Sequence, residues 1–132
     1  MTEAEALDRA EQHIRSAIDT VTPRPQPAQL PPLDIPCTDR SGQHNGLYQV
    51  DRVYWLAEVP RAENQQVFDD LHAYWTEQGY DIVRDVRDRE LARVLTARTD
   101  GFTIRVLERD DGQLSINATS PCIRTSESPS NT

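Results

Sequence analysis

Apolar residues at the start of the chain recur at helical spacing. Leu7, Ala10, Ile14, Ala17, Ile18 and Val21 alternate with the charged Asp8, Arg9, Glu11, Arg15 and Asp19, which predicts one amphipathic helix over residues 2–21. Thr2 and Glu5 have the form of a capping box, in which a hydroxyl and a carboxylate each satisfy a free backbone N–H of the first turn. The helix must end before Pro23. Six prolines between Pro23 and Pro36 then mark a strap over residues 22–37, expected to be extended, with neither helix nor ladder hydrogen bonds. No two of these prolines stand three apart, so a PxxP docking motif is absent.

Residues 47–59 mix Val50, Val53, Leu56 and Val59 with Tyr48, Tyr54 and Trp55, and read as a long strand in which neither alternating set is cleanly apolar. Over residues 62–78 the helical period returns with Val67, Phe68, Leu71, Tyr74 and Trp75, and Gly79 stands where a left-handed C-cap is needed. A meander follows. Strands are expected over 80–86, 91–98, 102–108 and 113–119, with Asp100-Gly101 and Asp111-Gly112 as hairpin turns. Phe102, Ile104 and Val106, then Leu114, Ile116 and Ala118, share one face, and Thr103, Arg105, Ser115, Asn117 and Thr119 share the other. A sheet with one apolar face takes helices on that face. The expected fold is therefore an α+β two-layer sandwich: an antiparallel sheet of four to five strands with two helices on one face, tied by a disulfide. One domain is expected over residues 1–124, and the Ser-rich residues 125–132 are expected to be disordered.

The length of 132 residues fits that single domain, which buries roughly two thirds of the surface of its unfolded chain. A net charge of -8 disfavours nucleic acid and anionic lipid as partners. All 14 cationic side chains are arginine, consistent with a GC-rich genome. No apolar run approaches the length of about 18 residues that a membrane span needs, so no insertion into a bilayer is expected. Met1 leads almost directly into a helix, as expected where a signal or lipid-anchor segment has been cut away; a native cytoplasmic start is the alternative.

Cys37 and Cys122 could be buried thiols, half of a metal site or a disulfide. A zinc site needs two further ligands, and His13, His44 and His72 are scattered. The disulfide is the expectation, since the two cysteines sit at the margins of the folded core, and it implies an oxidising compartment.

A leading helix, a Pro-Cys after a proline-rich strap, a Tyr-bearing strand, a Trp-bearing helix ending at Gly79 and Tyr80, the Asp100-Gly101-Phe102 turn and a closing Ser120-Pro121-Cys122 together resemble small actinobacterial lipoproteins of the mycobacterial LppA type and their streptomycete relatives. The resemblance spans roughly residues 5–124. It implies an extracytoplasmic, envelope-associated protein, and it carries no agreed activity to transfer. Members of that group have an N-terminal lipidated cysteine, which this sequence lacks.

No nucleophile with its base, phosphate loop or ligand cluster stands at a recognisable spacing. Asp69-Asp70 and Asp110-Asp111 read as a solvated helix face and a turn, and Asp69 three residues before His72 as a surface ion pair. No enzyme activity, metal or cofactor is expected. What remains is the polar sheet face: Arg105 and Asn117, with Thr103 and Ser115, and Arg52 with Tyr54 added from the long strand, form the candidate binding surface for a protein or cell-envelope component. Arginine and tyrosine are common interface anchors, and an ordinary solvated face is the alternative. The leading reading is a non-catalytic extracytoplasmic binding or structural domain. An immunity or inhibitor protein for a secreted toxin and a hydrolase with an unrecognised site are the alternatives.

Overall fold

The computed structural model describes residues 1–21, 24–31 and 33–124; the tail expected to be disordered and three positions of the strap, 22, 23 and 32, lie outside the described residues. Helix α1 (Glu3–Thr20) starts at the capping box. Thr2 Oγ1 accepts from the Glu5 N–H at 3.1 Å and Glu5 accepts from the Thr2 N–H at 3.0 Å. Ala6, Ala10, Ile14, Ala17 and Ile18 form its buried stripe.

The strap is where expectation and structure part. It contains two strands, β1 (Gln26–Gln29) and β2 (Leu33–Thr38), both paired antiparallel to the same edge of β3 (His44–Ala57). Pro27 lies opposite Leu56 and Pro36 opposite Tyr48. An edge strand tolerates proline because only one of its two sides needs backbone donors. The sheet therefore has seven strands rather than four to five.

A 3-10 turn (Arg61–Glu63) leads into α2 (Asn64–Glu77). Gly79, at φ 84°, closes this helix: its N–H reaches the Thr76 carbonyl at 3.1 Å and the Tyr80 N–H reaches the Trp75 carbonyl at 2.9 Å, the pair of bonds that a left-handed residue after a helix permits. Strands β4 (Asp81–Asp85), β5 (Val94–Thr99), β6 (Phe102–Glu108) and β7 (Leu114–Thr119) complete an antiparallel sheet in the order β1-β3-β7-β6-β5-β4, with β2 beside β1 on β3. The Asp100-Gly101 turn has positive φ at both residues, which matches the twist of the strands it joins.

Helix α1 lies over β3, β7 and β6, and α2 over β4 and β5. Both send their apolar stripes into one core with Val50, Leu56, Leu95, Ala97, Phe102, Ile104, Val106, Leu114, Ile116 and Ala118. At one end of that core, the buried Asn64 amide donates to Glu108 and to the Gly112 carbonyl, both at 2.8 Å, while Arg93 donates to Glu108 at 3.0 Å. Glu108 is a core-facing carboxylate with 2% side-chain exposure, tolerable only because it is paired and hydrogen-bonded. It pins the start of α2 to the β6–β7 hairpin. The Cys37–Cys122 disulfide joins the end of β2 to the segment after β7, so it ties together strands on opposite edges of β3.

Two stability predictions follow from this packing. Leu71 of α2 is fully buried, so Leu71→Ala should lower the free energy of unfolding by about 2–5 kcal/mol, measured by denaturant titration. A loss under about half a kcal/mol would mean that the helix does not seal this core. Paired Cys37→Ser and Cys122→Ser substitutions open a loop of 85 residues and should cost up to about 4–5 kcal/mol in the chain-entropy picture. An unchanged unfolding midpoint would show that the bridge carries no stability.

Candidate functional site

Residues directly opposite one another in an antiparallel pair share a face, so the registers sort every strand residue. Those paired with buried Ile116, Ala118 or Ile104 face the helices. Their neighbours face away, onto a surface that no helix covers among the described residues. Across this surface one row runs Arg84, Thr96, Arg105, Asn117 and Val53. A second runs Asp81, Arg98, Thr103, Thr119, Asp51 and Leu33. On the other side of the first lies a mostly apolar row of Val94, Leu107, Ser115, Trp55 and Ala28.

Arg105 is exposed and Asn117 half-buried on this face. The Asn117 amide does not project freely, because it donates to Asp51 at 3.1 Å and to Thr119 Oγ1 at 3.3 Å, and Thr119 donates to the same Asp51 oxygen at 2.9 Å. Asp51 is only 7% exposed, so the middle of the face carries a fixed, largely buried carboxylate. Further along β3, Arg109 stacks over the half-exposed Trp55 ring, 5.2 Å from its centroid, within cation–π range.

Arg52 and Tyr54 are elsewhere. They lie opposite Ala118 and Ile116, on the helix-covered face, so the surface expected for them is corrected. The mixed pattern of β3 concealed its phase: Val53 and Trp55 point outward while Arg52 and Tyr54 point inward. Their polar ends are satisfied by Glu11 of α1. Arg52 Nε donates at 2.7 Å and the Tyr54 hydroxyl lies 2.6 Å from both carboxylate oxygens. Burial, and then the Glu11 carboxylate, push the Tyr54 hydroxyl above the ordinary phenolic value, which keeps it a neutral donor. The cleft beside this cluster, lined by Glu11, Ile14, Arg15, Ile18, Arg24, Pro27 and Tyr54, holds about 110 Å³. That is below the roughly 300 Å³ at which ligand pockets begin.

The remaining titratable candidates are dispersed. His72 lies 3.6 Å from Asp85, not against Asp69, which pairs instead with Arg87 at 2.8 Å. His44 packs edge-on against Tyr48 at the start of β3. His13 of α1 packs between Phe102, at 5.3 Å, and Tyr80, at 6.2 Å, and its Nε2 is buried without a hydrogen-bond partner. Among the described residues no three His, Cys, Asp or Glu side chains are grouped to hold a metal ion, and no helix is long and apolar enough to cross a membrane.

No protein-family model, curated protein or solved structure matches the chain.

Three members of the exposed face, Arg84, Arg98 and Trp55, were not legible as site residues. Arg84 and Arg98 alternate with residues that face the helices, but β4 carries a bulge between Ile82 and Arg84 that breaks its period.

His13 gives the fold a pH dependence. Burial lowers its pKa from 6.5, opposed by Asp100 and assisted by Arg9. Folded His13 thus takes up a proton less readily than unfolded His13, so its contribution is complete above pH 6.5 and is lost as pH falls through the folded value. Between about pH 7.5 and about pH 5.5 the wild-type chain should lose more stability than His13→Gln. Equal losses in the two proteins, measured by denaturant titration, would exclude this role.

Proposed function

We propose that the chain is a non-catalytic, extracytoplasmic binding domain of the lipoprotein type, and that it recognises a partner through the sheet face that carries Arg105 and Asn117. The observation that carries this reading is the uncovered face itself. Its arginines and half-exposed Trp55 stand on a rigid sheet beside an apolar row and are not drawn into the core. Side chains held on strands are positioned more tightly than the same groups on loops, and Trp and Arg are prominent among interface anchors. The disulfide supports an oxidising compartment, and with it the resemblance to envelope lipoproteins noted from the sequence.

The reading is tested by site-specific photo-crosslinking in intact cells. A benzophenone amino acid at Thr103, on the uncovered face, should capture an envelope component, and the same group at Arg15, on α1, should not. Arg105→Ala should reduce the capture while changing folding stability by no more than about half a kcal/mol. Capture from both positions alike, or from neither, would sink the reading.

A further inference from the structure

We propose that the uncovered face takes an acidic peptide segment of a partner protein, whose carboxylates are held by Arg84, Arg98 and Arg105; this rests on the reading of that face as the binding surface. The three arginines surround one residue. Thr96 on β5 lies opposite Arg84 on β4 and Arg105 on β6, and Arg98 follows two positions along β5. Cross-strand neighbours stand about 5 Å apart and alternate residues of a strand about 7 Å apart, so Arg84 and Arg105 flank Thr96 about 10 Å apart and Arg98 stands about 7 Å from it, within reach of one peptide segment. Thr96 is 4% exposed although it sits on the uncovered face.

No side chain of these three arginines makes an ion pair or hydrogen bond among the described residues, and all three are exposed. Five arginines elsewhere are paired: Arg9 with Asp100, Arg24 with Asp19, Arg52 with Glu11, Arg87 with Asp69 and Asp85, and Arg93 with Glu108. Other arginines form no ion pair either, and what sets Arg84, Arg98 and Arg105 apart is that adjoining strands bring them around one residue. Even Asp81, in register with Arg98, forms no ion pair with it. Three cationic side chains on adjoining strands, with Asp81 as the one carboxylate in register with them, leave a local excess of positive charge on a chain of net charge -8. A ligand carboxylate offsets that excess and accepts bidentate hydrogen bonds from the guanidinium forks.

The anion belongs to a peptide segment for two reasons. The whole chain carries -8, so an extended polyanion or anionic bilayer that overlaps the cluster also meets the acidic remainder. A short segment seated on the face is screened from that remainder over a Debye length of about 8 Å. Val94 and Leu107, next to Thr96 and Arg105, begin a mostly apolar row that runs past Ser115 to Trp55 and accepts side chains a phosphate polymer lacks. Strand addition at the free edge of β4 is disfavoured, because the bulge there interrupts the ladder that an added strand would extend.

The probe is a phage-displayed library of random 12-residue peptides, selected on the full chain with its disulfide closed. Enrichment of Asp and Glu next to Leu, Ile or Phe is expected. A synthetic copy of a selected peptide, free of Trp, should shield Trp55 fluorescence from acrylamide; Trp75 is fully buried and stays silent. Affinity should fall by about tenfold or more in the Arg84→Gln, Arg98→Gln, Arg105→Gln triple variant, and several-fold in Arg105→Gln alone. The control triple variant Arg15→Gln, Arg40→Gln, Arg124→Gln removes the same charge and should stay within about twofold of wild type. The proposal is overturned if no peptides are enriched, if those enriched are not acidic, if Trp55 stays unshielded, or if both triple variants weaken binding alike. It is equally overturned if inorganic polyphosphate or phosphatidylglycerol vesicles bind through the three arginines and peptides do not. Failure of the peptides with persistence of the crosslink from position 103 removes the acidic-partner inference alone; failure of both removes the binding face as well.

Discussion

Strand β3 divides its two edges among three neighbours. On one edge it takes β7 along Asp51 to Leu56, and on the other it takes β1 and β2 end to end. Its ladder with β7 joins residues distant in sequence, such as Asp51 and Thr119, so it closes the longest loop in the sheet and carries the corresponding entropic cost. The disulfide lies across the same junction and lowers that cost by restricting the unfolded chain. Once β3 and β7 are paired, the meander extends the sheet by local hairpins, and α1 has a surface on which to bury its alanine-rich stripe. The small side chains of Ala6, Ala10 and Ala17 are fully or almost fully buried.

Because both helices pack on one face, the two faces follow different rules for polar groups. On the covered face a charge survives only with partners close by: Glu11 with Arg52 and Tyr54, and Glu108 with Asn64 and Arg93. These groups fix how each helix sits on the sheet. On the uncovered face water can solvate a charge, and there the chain leaves Arg84, Arg98 and Arg105 without carboxylates while it anchors Asp51 with Asn117 and Thr119.

The charge distribution sharpens this contrast. Among the described strand residues Arg84, Arg98 and Arg105 share the uncovered face with Asp51 and Asp81, and Arg109 lies beside Asp110 and Asp111 at its margin, on a chain whose net charge is -8. A local field opposite in sign to the net field favours a compact acidic partner over an extended one, because screening makes the nearest charges dominate.

Much of this architecture was legible in the chain. Period-2 alternation in β6 and β7 assigned Phe102, Ile104, Val106, Leu114, Ile116 and Ala118 to the core and Arg105 and Asn117 to the other side, since a strand's side chains must alternate. Helical spacing, the Thr2–Glu5 cap and Gly79 placed both helices, and the two cysteines announced their bridge. Each of these signals is local, or in the case of the bridge is carried by the only two residues able to make it. What tertiary structure alone decided is lateral. A proline-rich strap reads as unpaired until β3 offers it an edge that demands few donors. The phase of β3, with Trp55 outward and Arg52 and Tyr54 against Glu11, is invisible in a segment whose alternate positions are both mixed. The gathering of Arg84, Arg98 and Arg105 around Thr96 depends on three strands in register, and register is a relation between distant segments that no single stretch of sequence contains.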